Sequence, residues 1–437
     1  MAKNVYNFEI FTNKKDQLKK IHKKHQQKEW ARRILIIVLI LFVAFIAYML
    51  SNSRCEYYIY KEETETENNA NVKYETFANG YIKYGQNGIE YQRNFGVADW
   101  NIPVSFQNPF LVKAEPYILL ADKGGNTLML FNASGKVRDF TVRYPVVQAS
   151  VSEQGTIEVI LQGEGSNFIQ MYDIEGNLVA DMRSSVDETG YPLTAAISPD
   201  GTRLVVSYLA IDGMSSRTTV AFYDFSQQLR TDGVSLLGGF EYEDSLIARL
   251  HFVDDNTLVA FGDTVTYYYN VSHEPEVKKE VAFEEEIQSI FIGDDYIGYV
   301  LDNSENPEEG RYRLCLYNKS GSKKLDTDVD MEYENIEMRG KEIIAVQDNM
   351  CTIMNAGGKI LFQEELDGNG IEAVLPVRGW RTYQVVFQNK IVEMKLRFWS
   401  KGAENEDSEE ENTESLNIKN QNTGNENAEN VQGESQS

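Results

Sequence analysis

The chain has 437 residues, with 67 acidic and 42 basic side chains, four histidines and three cysteines. A net charge of −25 repels phosphate backbones and argues against nucleic acid as a partner. Three cysteines cannot build a disulfide framework, and four histidines leave little material for His-dependent catalysis or zinc.

The charge is unevenly placed. Residues 1–33 hold ten Lys or Arg against three acids, whereas residues 34–437 hold 32 against 64. Residues 34–50 read ILIIVLILFVAFIAYML, seventeen apolar residues without a charge. At about 1.5 Å per helical residue they cover about 26 Å, close to the thickness of a bilayer's hydrocarbon core. Lys and Arg concentrate at the cytoplasmic end of a membrane helix. The expectation is therefore a basic cytoplasmic arm at 1–33, a retained transmembrane helix at 34–50, and the rest of the chain outside. Trp30 and Tyr48 stand near the two ends of the span, where amphipathic rings favour the headgroup region. A cleaved signal peptide is the competing reading. The arm and the apolar run are long for one, and Arg54 before Cys55 spoils a lipoprotein-type cleavage signal. Lys14, Lys15, Lys19, Lys20, Lys23 and Lys24 could grip anionic lipid, with Phe8, Phe11, Leu18 and Ile21 as an apolar side; a topology signal alone is the simpler reading.

Residues 51–73 carry Glu62, Glu63, Glu65 and Glu67 and read as a stalk. Cys55 would lie just outside the membrane, as a free thiol or a link between two copies. Cys315 and Cys351 lie in strand-like runs, where Cys acts as a small hydrophobe. Residues 401–437 hold ten acids, two lysines and no aromatics, and read as a disordered tail. Residues 74–400 are rich in Tyr, Phe, Val and Ile, broken at short intervals by Gly, Asn and Asp. That is an all-β composition.

Within 74–400 two elements recur. One is an alternating strand that ends in an aromatic and a turn, as in Leu128–Gly135, Ile169–Gly176, Val220–Asp224, Thr266–Asn270, Leu314–Gly321 and Thr352–Gly358. Asn or Asp opens each turn and Gly accepts its positive φ. The other is a turn followed by an apolar strand, centred on Asn79, Glu115, Gln154, Pro199, Asp255, Asp294, Gly340 and Gly379. That makes eight units of roughly 40 residues, each with room for four short strands, the signature of β-propeller blades. The expected fold is an all-β propeller of seven or eight blades behind one N-terminal transmembrane helix. Large β-sandwiches are the rival.

The Ser198-Pro199-Asp200-Gly201 turn resembles the A–B hairpin of propellers found in periplasmic and secreted bacterial proteins. The stretch Gly190–Ile197 through Val205–Tyr208 and Val220–Tyr223 resembles, more specifically, a family of uncharacterised single-pass proteins of Gram-positive, clostridia-like bacteria. The resemblance covers about residues 20–400. It implies a short basic N-terminus, one membrane helix and a repeat-rich outer domain, and it implies no chemistry. In such a host Asn132, Asn270 and Asn318 are repeat turns and not glycosylation sites.

His251 and His273 are the histidines beyond the arm, and neither neighbours a nucleophile elbow. Asp326, Asp328, Asp330, Glu332, Glu334 and Glu337 approach calcium-loop spacing, but Met331 stands where the loop needs glycine, so a solvated strand face is expected. Asp367-Gly368-Asn369-Gly370 reads as a turn. No metal and no cofactor is expected. The reading is a membrane-anchored binding or scaffold module for an envelope protein or polysaccharide, held in the lipid bilayer through 34–50. A propeller-fold hydrolase or lyase using carboxylates is the alternative. Recognition is expected on the variable B–C and D–A loops, including 210–217, 302–311, 183–192 and 230–243. Asp212, Arg217, Glu308, Glu309 and Arg311 are the candidate contacts.

Overall fold

The computed structural model describes residue 30 and residues 32–46, 48–65, 72–94, 97–186, 189–212, 215–226, 235–243, 245–304 and 310–398. The basic arm and the acidic tail lie outside the described residues. Arg32–Ser51 is a helix of 20 residues, long and apolar enough to cross a membrane, with none of its apolar stretch buried against the protein.

The remaining described chain forms eight four-stranded antiparallel sheets. The blades span 73–103, 109–141, 146–184, 191–243, 249–282, 287–329, 335–365 and 371–397. Strands run A to D from the axis outward. A four-stranded blade cannot cover both its faces alone, so neighbours must bury them. The core shows this directly, because it divides into one apolar cluster per seam. Phe77, Tyr91 and Leu120 fill the seam between blades 1 and 2, Leu130 and Val159 that between 2 and 3. Ile160 and Leu204 join blades 3 and 4, and Phe222 and Leu258 join 4 and 5. Phe261 and Tyr299 join 5 and 6, Leu316 and Ile343 join 6 and 7. Ile353 and Phe387 join 7 and 8, while Tyr74, Tyr81 and Leu375 close 8 onto 1. Eight blades settle the count left open by the repeats.

The blade that closes the ring corrects the stalk expectation. Tyr57–Glu65 is its outermost strand, paired antiparallel with Lys390–Arg397 from Tyr57↔Arg397 to Glu65↔Lys390. The first and last strands of the domain therefore share one sheet. Tyr58 and Tyr60 pack on the seam between blades 7 and 8, while Glu62, Glu63 and Glu65 face solvent; Glu67 lies outside the described residues. Cys55 is fully buried in the same cluster, so a bridge between copies through it is excluded by burial. Cys315 and Cys351 are buried core residues as expected.

The eight turns that precede apolar strands are the eight A–B turns. At Ser198–Gly201, Gly201 has φ +72°, and a Cβ there would meet Thr156 Oγ1 at 2.6 Å, so glycine is required. The Asn-x-Ser sites are Asx turns closing strands C and D, with Ser134 N donating to Asn132 Oδ1 at 2.8 Å and Ser272 N to Asn270 Oδ1 at 2.9 Å.

Candidate binding faces

In a propeller the A–B and C–D turns emerge on one face and the B–C and D–A connections on the other. Strand D of blade 8 starts on the A–B/C–D face, so the apolar helix joins the ring there. Arg381, in the A–B turn of blade 8, fixes the junction. Its Nη2 donates to the carbonyls of Leu50 at 3.2 Å and Ser51 at 2.8 Å. These are terminal helix carbonyls, which lack intrahelical partners and carry the negative end of the helix dipole. Its Nη1 donates to Cys55 Sγ at 2.7 Å. Cys55 N donates to Leu361 O at 2.7 Å and Asn355 Nδ2 to Asn52 Oδ1 at 2.8 Å. Arg381 holds φ +52° although it is not glycine, and it is almost fully buried. A cleft of about 310 Å³ opens beside it, lined by Ser51, Lys341, Glu342, Asn355, Trp380 and Tyr383 among others. Burial pushes the Glu342 carboxyl up, opposed by the Tyr383 hydroxyl, which donates to it at 2.8 Å.

The opposite face is dominated by blade 4. Its strands B and C, Arg203–Asp212 and Ser215–Asp224, have ten residues each, and they stay paired out to Asp212↔Ser215. Most inner strands have six or seven. At about 3.3 Å per residue the hairpin projects roughly 10 Å farther. Ile211, near its tip, is 70 % exposed. The two flanking D–A loops are tied to this hairpin. Gly190 (φ +90°) lies so close that a Cβ would meet Leu209 O at 2.7 Å, and Ser184 Oγ donates to Gly190 O at 2.6 Å. On the other side Ser207 Oγ donates to Ile247 O and Thr218 Oγ1 to Ser245 O, both at 2.7 Å. These loops carry exposed Val186 and Leu246. The sequence reading missed this apolar triad.

The expected contacts are distributed as follows. Asp212 and Arg217 lie on the strands of the blade 4 hairpin, which replaces the loop expected over 210–217. Arg217 is exposed and pairs with Glu241 at 3.4 Å. Arg311 is in the B–C connection of blade 6, two blades away, paired with Glu332 and stacked over Tyr312. Glu308 and Glu309 lie outside the described residues. The D–A loop expected over 183–192 shortens to 185–190. The one expected over 230–243 is corrected, because Ser235–Glu243 is strand D of blade 4. Of the three described candidates, Asp212 and Arg217 share the blade 4 hairpin and Arg311 lies apart from them.

Other charged groups are structural by their contacts. Glu75 on blade 1 takes hydrogen bonds from Lys113 on blade 2 (2.8 Å) and Arg339 on blade 7 (2.7 Å), and Arg339 also pairs with Glu337 at 2.7 Å. Burial lowers the His251 imidazole to about 4, with Arg249 and Lys319 adding to the effect, so it is neutral on strand A of blade 5. Asp326 of the acidic run is held well below the usual carboxylate range by hydrogen bonds from Arg313, against its partial burial, and by Lys323. Among the described residues no group of three or more His, Cys, Asp or Glu could hold a metal ion.

A family model matches residues 51–396, from the clamped end of the helix to the last strand of the ring. The chain belongs to DUF5711, a family of unknown function. The match begins ahead of Tyr57–Glu65, in keeping with that strand's place in the ring. No curated protein matches the sequence. Among solved structures, the DUF5711 chain is similar to BamB from Moraxella catarrhalis, at 12 % identity and TM-score 0.46 over 78 % of this chain and 100 % of that one. It is similar to Sqt1 from Saccharomyces cerevisiae, at 10 % and 0.47 over 79 % and 100 %, and to hydrazine synthase from Kuenenia stuttgartiensis, at 10 % and 0.43 over 68 % and 98 %. Likeness at this level says nothing about ligand or activity.

Proposed function

We propose that this DUF5711 protein is an anchored recognition module, with its N-terminus cytoplasmic and its propeller outside the cell membrane. The projecting blade 4 hairpin meets an envelope protein or polysaccharide. In a clostridia-like Gram-positive cell that partner would lie in the wall space. The observation that carries this reading is the placement of Ile211 on the projecting hairpin, with Val186 and Leu246 on flanking loops, one packed closely against it and the other hydrogen-bonded to it, on the face opposite the clamped helix. A partner that covers exposed apolar side chains removes their surface from water, and a pre-organised scaffold loses little further entropy in the process. Asp212 and Arg217, on the hairpin itself, would form its polar rim. The test is capture from the native envelope with the outer domain as bait, identifying both protein and glycan. Ile211→Asp with Leu246→Asp should abolish capture without changing the thermal midpoint. Capture unaffected by both changes would place the site elsewhere.

A further inference from the structure

We propose that the A–B/C–D turns of blades 7 and 8 rest on the bilayer surface and recognise anionic phospholipid headgroups. This inference rests on the reading of Arg32–Ser51 as a membrane anchor. Arg381 binds the last carbonyls of that helix directly, so the turns around it cannot lie far from the headgroups. The neighbouring side chains suit that position. Trp380 is 52 % exposed and packs against Phe398, with the Arg381 guanidinium 5.1 Å from its ring. An amphipathic ring beside a cation is the composition that favours the membrane interface.

Charge is segregated on the same face. Blades 7 and 8 present exposed Lys341, Lys359 and Arg378 in their turns; beside them Arg54 lies 4.0 Å from Glu364, and Glu56 is an exposed acid. The turns of blades 2 to 6 present Glu115, Glu153, Glu175, Glu274, Asp294 and Asp295 against Lys319. In a chain of net charge −25 a local cationic sector at the helix junction is a departure from the whole. An anionic surface attracts this sector and repels the rest of the face. The ring therefore stands tilted, with blades 7 and 8 down and blade 4, on the far side of the ring, lifted away.

The test uses the full chain in nanodiscs of phosphatidylcholine with and without phosphatidylglycerol. Each disc carries trace phospholipids that are photoreactive in the headgroup or in the acyl chain, and cross-linked peptides are mapped by mass spectrometry. Headgroup cross-links should fall on peptides holding Lys341, Lys359 and Arg378–Trp380, and rise about fivefold with phosphatidylglycerol. Peptides holding Glu153 and Glu175 should stay at background. Combined Lys341→Glu, Lys359→Glu and Arg378→Glu should remove the headgroup cross-links while acyl-chain cross-links to 32–51 persist. Equal headgroup labelling of blades 3 and 8, or labelling indifferent to phosphatidylglycerol and charge reversal, would overturn the proposal and leave the anchor standing. Loss of acyl-chain cross-links to 32–51 in the wild type would overturn the anchor itself.

Discussion

Arg381 donates to the Ser51 carbonyl at 2.8 Å, and this contact holds the end of the apolar helix against the ring face on which strand D of blade 8 begins. The same guanidinium covers the thiol of Cys55. Burial pushes that thiol up, against the opposing pull of Arg381, so it should be inert in the native chain. Arg381→Ala should release the helix end and raise the rate of Cys55 modification by a soluble maleimide at least tenfold. Buried Cys315 and Cys351 serve as internal controls. Equal reactivity of Cys55 in wild type and variant would mean that Arg381 does not hold the junction.

The domain boundary follows from the closing strand. A chain starting at Ser53 should fold as a cooperative monomer. A chain starting at residue 74 lacks Tyr57–Glu65 and bares both the edge of Lys390–Arg397 and the apolar patch under Tyr58 and Tyr60. An unpaired edge over exposed aromatics favours aggregation. Size-exclusion chromatography and thermal melts of the two truncated chains would decide, with equal behaviour contradicting the pairing.

Glu158 is fully buried in strand B of blade 3, on the side that faces Tyr208 of blade 4. Ser150 Oγ donates to one of its oxygens at 2.8 Å, and the other has no partner among the described residues. Burial raises its carboxyl to about 8 from an ordinary 4.5. Between those values the folded state keeps a proton that the unfolded chain releases, so the stabilisation is present below 4.5 and is lost as pH rises through 8. Glu158→Gln should raise the thermal midpoint at pH 8 by several degrees and leave it nearly unchanged at pH 4.5. A difference between variant and wild type that does not vary with pH would refute the assignment.

Blades 8 and 1 meet across the smallest apolar cluster. Arg339 strengthens the ring there by reaching from blade 7 to Glu75 and to Thr76 Oγ1, the latter at 2.8 Å. Arg339→Leu leaves Glu75 with Lys113 alone and should cost about 1–3 kcal/mol in urea unfolding. A double-mutant cycle with Glu75→Gln should show coupling of the two sites. Additive losses would show that the bridge contributes nothing.

The A–B turns were legible because their chemistry is local. Gly201 is demanded by backbone geometry, and five C strands announced themselves by an aromatic before an Asn or Asp, with Met354 in the aromatic's place in a sixth. Tyr57–Glu65 was illegible because its partner lies more than 300 residues away, and an outer strand with solvent-facing glutamates looks like a linker. The blade 4 hairpin was mistaken for a loop because Ser215, Ser216, Thr218 and Thr219 resemble loop composition, whereas pairing with Leu209–Asp212 decides the matter. Arg378-Gly379 reads as a turn, with Trp380 and Arg381 assigned to the strand that in fact begins at Thr382. What Arg381 grips could be known only once the ring brought blade 8 to the helix.

The central claim is that the propeller lies outside the membrane with blade 4 pointing away from it. Cysteine placed singly at Ile211 or at Trp380 can be labelled with a membrane-impermeant maleimide in intact, wall-stripped cells, since the native cysteines are buried. The account predicts that Ile211→Cys labels fully without lysis, and that Trp380→Cys labels much more slowly until detergent removes the bilayer. Labelling of Ile211→Cys only after lysis would contradict it.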